Sequence, residues 1–113
     1  MITIRNNPER SRFEVLDADA VIGQAAYVDD AGEAQRIFYH TEISEEYGGR
    51  GLAGLLAAQA LDETVAAGLM IVPVCPYIKK YLAKHTGYAA NVLAPTPAHL
   101  ESVRAWLAQR VRQ

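Results

Sequence analysis

Residues 37–53 read Ile37-Phe38-Tyr39-His40-Thr41-Glu42-Ile43, then the polar link Ser44-Glu45-Glu46-Tyr47, then Gly48-Gly49-Arg50-Gly51-Leu52-Ala53. The first seven are dense in aromatic and β-branched side chains, the composition of a strand. From Leu52 to Ala67 the chain is rich in Ala and Leu, broken only by Gly54, which predicts a helix capped by Gly68. A strand, a glycine turn and a helix N-terminus make an anion site. First-turn N–H groups lack partners, the helix start carries partial positive charge, and glycines let a phosphate approach the main chain. The same glycines also suit a sharp turn with no ligand, and spacing alone leaves both readings open.

Upstream, Ile2 and Ile4 alternate with Thr3 and Arg5, and Phe13 and Val15 with Glu14, predicting two short half-buried strands around a loop with Pro8. Val21 to Val28 is a third strand, reversing at Asp29-Asp30-Ala31-Gly32 into a fourth, Gln35 to Ile43. Downstream, Met70 to Cys75 is a short apolar run expected as a buried strand, where Pro73 removes a ladder donor and implies an edge or irregularity. Pro76 suits the first position of a helix from Tyr77 to His85 with Ile78 and Leu82 on one face. Thr96-Pro97 opens a last helix through Gln113, whose Leu100, Val103, Leu107 and Val111 form a stripe expected to dock on the core. Trp106, off that stripe, is a candidate dimer contact. The order predicts an α/β fold in which an antiparallel meander leads into one strand-helix-strand crossover.

A length of 113 residues fits one domain, residues 1–113, with one modest core. The formal charge of -2 argues against nucleic acid as a partner, since phosphate binders carry basic stripes. No apolar run reaches the roughly 20 residues that span a bilayer, and the N-terminus lacks the order of a secretion signal, so a cytoplasmic protein with no membrane partner is expected. A lone Cys75 forms no internal disulfide and no thiol cluster, so no metal site is expected. The glycine turn also lacks the Gly-Lys-Ser/Thr ending of a Walker loop, and no acidic residue is placed to hold a dinucleotide ribose.

Gly48-Gly49-Arg50-Gly51-Leu52-Ala53 resembles the pyrophosphate loop of the GNAT acetyltransferases, Q/R-x-x-G-x-G/A, with Gly51 and Ala53 at its small positions and Gly48 where the pattern has Gln or Arg. Phe38 to Glu42, Leu61-Asp62, and Val72-Pro73-Val74-Cys75-Pro76-Tyr77 with Tyr81 and His85 resemble the small YjdJ-like GNAT family, over roughly Val21 to Val92. The resemblance implies a minimal GNAT fold and acetyl-CoA (coenzyme A) as cofactor. The amides of Gly48, Gly49, Arg50, Gly51, Leu52 and Ala53 would hold the pyrophosphate. Thr41 and Ile43, on the strand before the loop, would hold the pantetheine arm where that strand splays from Met70 to Cys75. Arg50 is close enough to supply the cation that Gly48 lacks.

Acetyl transfer to an amine needs a base, an oxyanion site and an acid for the leaving thiolate. His40 has a side chain suited to a neutral-pH base, or is a packed core residue. Cys75 is an acetyl acceptor or a lining group by the resemblance, and inert packing otherwise. Tyr81 is the candidate acid, with Tyr77 as rival; Gly87-Tyr88 follows Tyr81 at a longer interval than in the usual GNAT motif. Lys79, Lys80 and Lys84 read as a solvated helix face rather than a cofactor clamp, with a contact from one of them to the 3′-phosphate of coenzyme A as the alternative. The expected activity is acetyl-CoA-dependent N-acetylation of an amine, small molecule or protein, by a monomer or weak homodimer. A non-catalytic coenzyme A-binding module is the alternative.

Overall fold

The computed structural model describes residues 1–111, with side chains through residue 110. Strands β1 (Ile2–Asn7), β2 (Arg12–Asp17), β3 (Ala20–Asp30) and β4 (Gln35–Ile43) form an antiparallel meander, and β5 (Met70–Pro73) joins β4 in parallel at the sheet edge. Helix α1 (Leu52–Ala66) makes the crossover, α2 (Pro76–Lys84) follows β5, and α3 (Pro97–Val111) ends the described chain. This is the expected α/β architecture, a mixed and mostly antiparallel sheet with a C-terminal helix.

Local chemistry sets the boundaries. Ala18 and Asp19 both take positive φ, 48° and 74°, and form a two-residue turn between the paired Asp17 and Ala20. The reversal after β3 falls later than the sequence suggests: Asp29 and Asp30 finish the strand, and Ala34, not Gly32, takes the positive φ. Helix α1 ends at Gly68, φ 77°, where Gly68 N–H reaches Val65 O and Leu69 N–H reaches Thr64 O, the paired bonds of a Schellman cap. Pro76 opens α2 as expected, and Thr96 caps α3 with its hydroxyl on His99 N–H while His99 Nδ1 accepts from Thr96 N–H.

One sheet face carries Phe13, Val15, Ala25, Tyr27, Phe38 and Ile71 against Leu52, Leu56, Ala57, Ala60 and Leu61 of α1, all buried. The opposite face is covered at one end only, where Val103 of α3 meets Ile37 and Val72. Here the sequence reading needs correction. Val103 docks, but Leu100 and Leu107 are 45% and 42% exposed, because α3 touches the sheet along a narrow line that covers Val103 and leaves the leucines beside it on the same face uncovered. The expected place of Val111 in the stripe, and the helix beyond it to Gln113, lie outside the described residues. Trp106 is partly buried, with its indole N–H unpartnered among the described residues.

Pro73 ends β5 on the sheet edge, where a missing donor disturbs least. On its outer side β5 meets Val92 and Leu93, the latter donating to Ile71 O.

Candidate functional site

Strands β4 and β5 pair through Phe38 and Pro73 and then part. The Phe38 carbonyl accepts from both Val74 N–H (3.0 Å) and Cys75 N–H (2.8 Å), which closes the ladder and turns the chain into α2. Beyond that point β4 continues to Ile43, paired with β3 alone. An extra residue in β4, Tyr39, lies between the Tyr27–Phe38 and Ala26–His40 pairs, a bulge that changes which main-chain groups face outward. Ser44 N–H bonds Ile22 O, so by alternation Glu42 and His40 turn their main chain to β3. Thr41 and Ile43 turn theirs to the side that β5 has left, which is where the sequence reading placed them.

The glycine loop follows a short 3-10 turn at Glu45–Tyr47. Gly49 and Gly51 have φ of 80° and 73°, a region in which side-chain-bearing residues are strained, and a Cβ at either would meet nothing within 4 Å. The backbone thus favours glycine there, while the surroundings leave room for a ligand. Gly48 is in ordinary extended conformation. Gly51 is the N-cap of α1, and Leu55 N–H to Gly51 O is the first rung. The N–H groups of Leu52, Ala53 and Gly54 have no carbonyl a turn before them and point out of the helix start. Tyr47 anchors the loop: its hydroxyl donates to Asp17 at 2.6 Å. That bond raises the Tyr47 phenol and, with the N-terminal ammonium, lowers the Asp17 carboxyl.

A cleft of about 510 Å³ opens beside the loop, between α1 and α2. Gly51, Gly54 and Leu55 form one wall, and Tyr77, Lys80, Tyr81, Lys84 and His85 the other. These five recur at the three- and four-residue spacing of one helix face. The sequence reading preferred a solvated face for the lysines and left them out of the site; the signal that brings Lys80 and Lys84 in is the face they share with Tyr77 and Tyr81. Among the described residues, neither Lys80 nor Lys84 is ion-paired. The Tyr81 ring stacks on His85, centroids 3.8 Å apart, and burial first, then the Asp62 carboxylate, push its phenol upward. Burial does the same to Tyr77. Both phenols therefore keep their protons at neutral pH and are available as donors.

Cys75 is buried, caps α2, and donates its thiol to Thr41 Oγ1 at 3.4 Å. His40 is not the packed core residue that one reading allowed: its side chain is 54% exposed, with Nε2 3.4 Å from Glu42 Oε2. Since neighbours along a strand face opposite ways, His40 and Glu42 lie on the open sheet face and Thr41, with Cys75, on the α1 face. The structure brings Cys75 to Thr41 and brings Tyr81 to the cleft with Gly51. It does not bring His40 into hydrogen-bonding contact with Cys75.

This geometry fits an anionic, elongated ligand: first-turn amides, two unpaired lysines and a splayed strand edge. A family model described as GCN5-related N-acetyl-transferase matches residues 12–92. Protein NATD1 of Homo sapiens is 37% identical over 65 residues, 58% of this chain and 50% of that protein, and the Gallus gallus protein is also 37% identical, over 51% of its length. The chain spans about half the length of these curated relatives. In solved structures, a GCN5-like protein from Staphylococcus aureus superposes with TM-score 0.62 at 21% identity, over 86% of this chain and 93% of that one. N-acetylglutamate synthase from Neisseria gonorrhoeae, complexed with coenzyme A and N-acetyl-glutamate, superposes with TM-score 0.54 at 14% identity, over 74% of this chain and 22% of that one. Similarity at those identities is similarity of fold. Among the described residues, no helix is long and apolar enough to cross a membrane. With most of its length matched and its fold shared, the chain belongs to the GCN5-related N-acetyltransferase family.

Proposed function

We propose that the chain is one domain, akin to the small YjdJ-like members of its family, and transfers the acetyl group of acetyl-CoA to an amine. The observation that carries this reading is the cleft: the positive-φ Gly51 and the first turn of α1, whose leading N–H groups lack intrahelical partners, adjoin Lys80 and Lys84, which make no ion pair among the described residues. Gly48 to Ala53 would hold the pyrophosphate, with Arg50 as the loop's own cation, and the lysines would meet the remaining phosphate charge. Thr41 and Ile43 would offer main-chain hydrogen bonds to the pantetheine arm beside the parting of β4 and β5.

The thioester supplies an activated acetyl group, and the chain's part is to orient it and to move protons. His40, exposed on the open face, takes a proton from the ammonium of the acceptor, which frees a lone pair to attack. Tyr81, a phenol that burial pushes above its ordinary value, supplies the proton for the departing thiolate. Cys75, at the head of α2 where the strands part, either lines the acetyl site or, as thiolate, accepts the acetyl group before the amine does. The separation of His40 from Cys75 on opposite sheet faces favours a second reading, a coenzyme A-binding module without turnover.

Release of free thiol from acetyl-CoA, measured across a set of primary amines and lysine-containing peptides, separates the two. Transfer reading: amine-dependent release that His40→Ala abolishes. Binding-module reading: ligand binding with no amine-dependent release.

A further inference from the structure

Gly48 removes the side chain that the phosphate loop of this family resemblance carries at its first position, so the loop's cationic side chain is Arg50 two residues later. Arg50 is exposed and makes no ion pair among the described residues. An exposed arginine samples many rotamers, and fixing it on a phosphate loses that freedom. In this chain it is not left free: its guanidinium carbon lies 5.0 Å from the centroid of the Tyr47 ring, within cation–π range.

The ring itself is braced. Tyr47 is half-buried against the core cluster, and its hydroxyl donates to Asp17 at 2.6 Å across thirty residues of chain. Asp17 is held in turn, because it pairs with Ile2 on one side and with Ala20 on the other, immediately before the two-residue turn. A hairpin end paired on both sides thus supports an aromatic ring, and that ring carries the guanidinium beside Gly49 and Gly51.

We propose that Tyr47, locked by Asp17, is a positioning residue that presents Arg50 to the pyrophosphate of coenzyme A, replacing the side-chain contact absent at Gly48. The proposal rests on the reading of residues 48–53 as the phosphate loop. Tyr47 touches no phosphate; it acts through Arg50. Two consequences follow. The ring, more than the hydroxyl, should matter to affinity, and its effect should vanish when Arg50 is gone.

Calorimetric titration of the full chain with coenzyme A tests both. Arg50→Ala should weaken binding about tenfold, the scale of one charge-assisted hydrogen bond. Tyr47→Leu should weaken it about two- to fivefold, the scale of an exposed cation–π contact, with Tyr47→Phe between Leu and native. Arg50→Lys, charged but a poorer stacking partner, should fall between Ala and native. The double variant Arg50→Ala/Tyr47→Leu should bind no more weakly than Arg50→Ala alone, an outcome that a merely structural role for Tyr47 does not give. Melting temperatures of Tyr47→Phe and Arg50→Ala, both read alongside, confirm folding. Native binding with unchanged affinity in Arg50→Ala, or additive losses in the double variant, overturns the positioning role and leaves the functional reading standing. No binding by the native chain overturns both.

Discussion

The Cys75 thiol donates to the Thr41 hydroxyl across 3.4 Å, and this contact bridges β4 to the chain leaving β5 just where the two strands cease to pair. It ties a potential nucleophile to the strand that would line the pantetheine arm, and it places that sulfur within the core rather than in solvent.

If Cys75 accepts the acetyl group, incubation with acetyl-CoA alone acetylates it. Intact-mass measurement then finds one added acetyl on the native chain and none on Cys75→Ser. Unmodified native protein, with amine turnover retained in Cys75→Ser, assigns the sulfur to packing.

Removing Lys80 and Lys84 together should weaken coenzyme A binding about tenfold or more at low salt, and the loss should shrink as salt rises, because the interaction is between exposed charges. The melting temperature should hardly move, since both side chains are exposed and make no ion pair among the described residues. Equal affinity in the double Ala variant at low salt removes the lysines from the site.

Tyr81→Phe deletes the proton donor while keeping the ring that stacks on His85. Its kcat should fall by about 10²-fold or more with acetyl-CoA affinity preserved, as for loss of a general acid. Burial raises the phenol, so the alkaline limb of the native profile should lie above that of free phenol and be absent from the variant. An unchanged kcat hands the role to Tyr77.

Glu14 is buried on the open sheet face, where Arg12 (2.6 Å), Arg5 (3.0 Å) and Asn7 (3.3 Å) converge on its carboxylate. Desolvation pushes its pKa upward, but these partners outweigh it and the carboxyl ends below its ordinary value. A depressed folded pKa means stability that is fully present above the unfolded value and lost as pH falls through the folded one. Thermal unfolding should therefore grow acid-sensitive below about pH 4.5. Glu14→Gln should melt lower at neutral pH and show a flatter acid limb; an identical limb would assign acid sensitivity to other carboxyls.

The parts of the fold that were legible in sequence are those where one residue type has one physical consequence. Gly68 after an Ala/Leu run gives a Schellman cap, Pro76 opens a helix, Pro73 falls on an edge, and Thr96 caps α3. The turn at Ala18-Asp19 was not legible, because half of it is carried by Ala18, a residue type that disfavours positive φ, with no glycine beside it. The stripe on α3 misled, since spacing gives a shared face but not the breadth of the surface that covers it. At the site, the glycine loop and its flanking strand stood out because their backbone demands are written in glycines. Lys80 and Lys84 did not, because an unpaired lysine on a helix looks the same whether it faces water or a cleft. The side on which His40 projects depended on the bulge at Tyr39, which no single residue signals.

The central claim is that the turn before α1 holds the pyrophosphate of acetyl-CoA, and the direct measurement is calorimetric titration of the native chain, Gly51→Ala and Gly51→Glu with acetyl-CoA. Both variants carry the strain of a side chain at φ 73°, about 1–2 kcal/mol, but only the second sets a carboxylate against the phosphates. Binding by the native chain, retained in weakened form by Gly51→Ala and lost in Gly51→Glu, is the predicted result. No binding by the native chain, or equal binding by all three, contradicts the account and leaves the glycine turn as architecture.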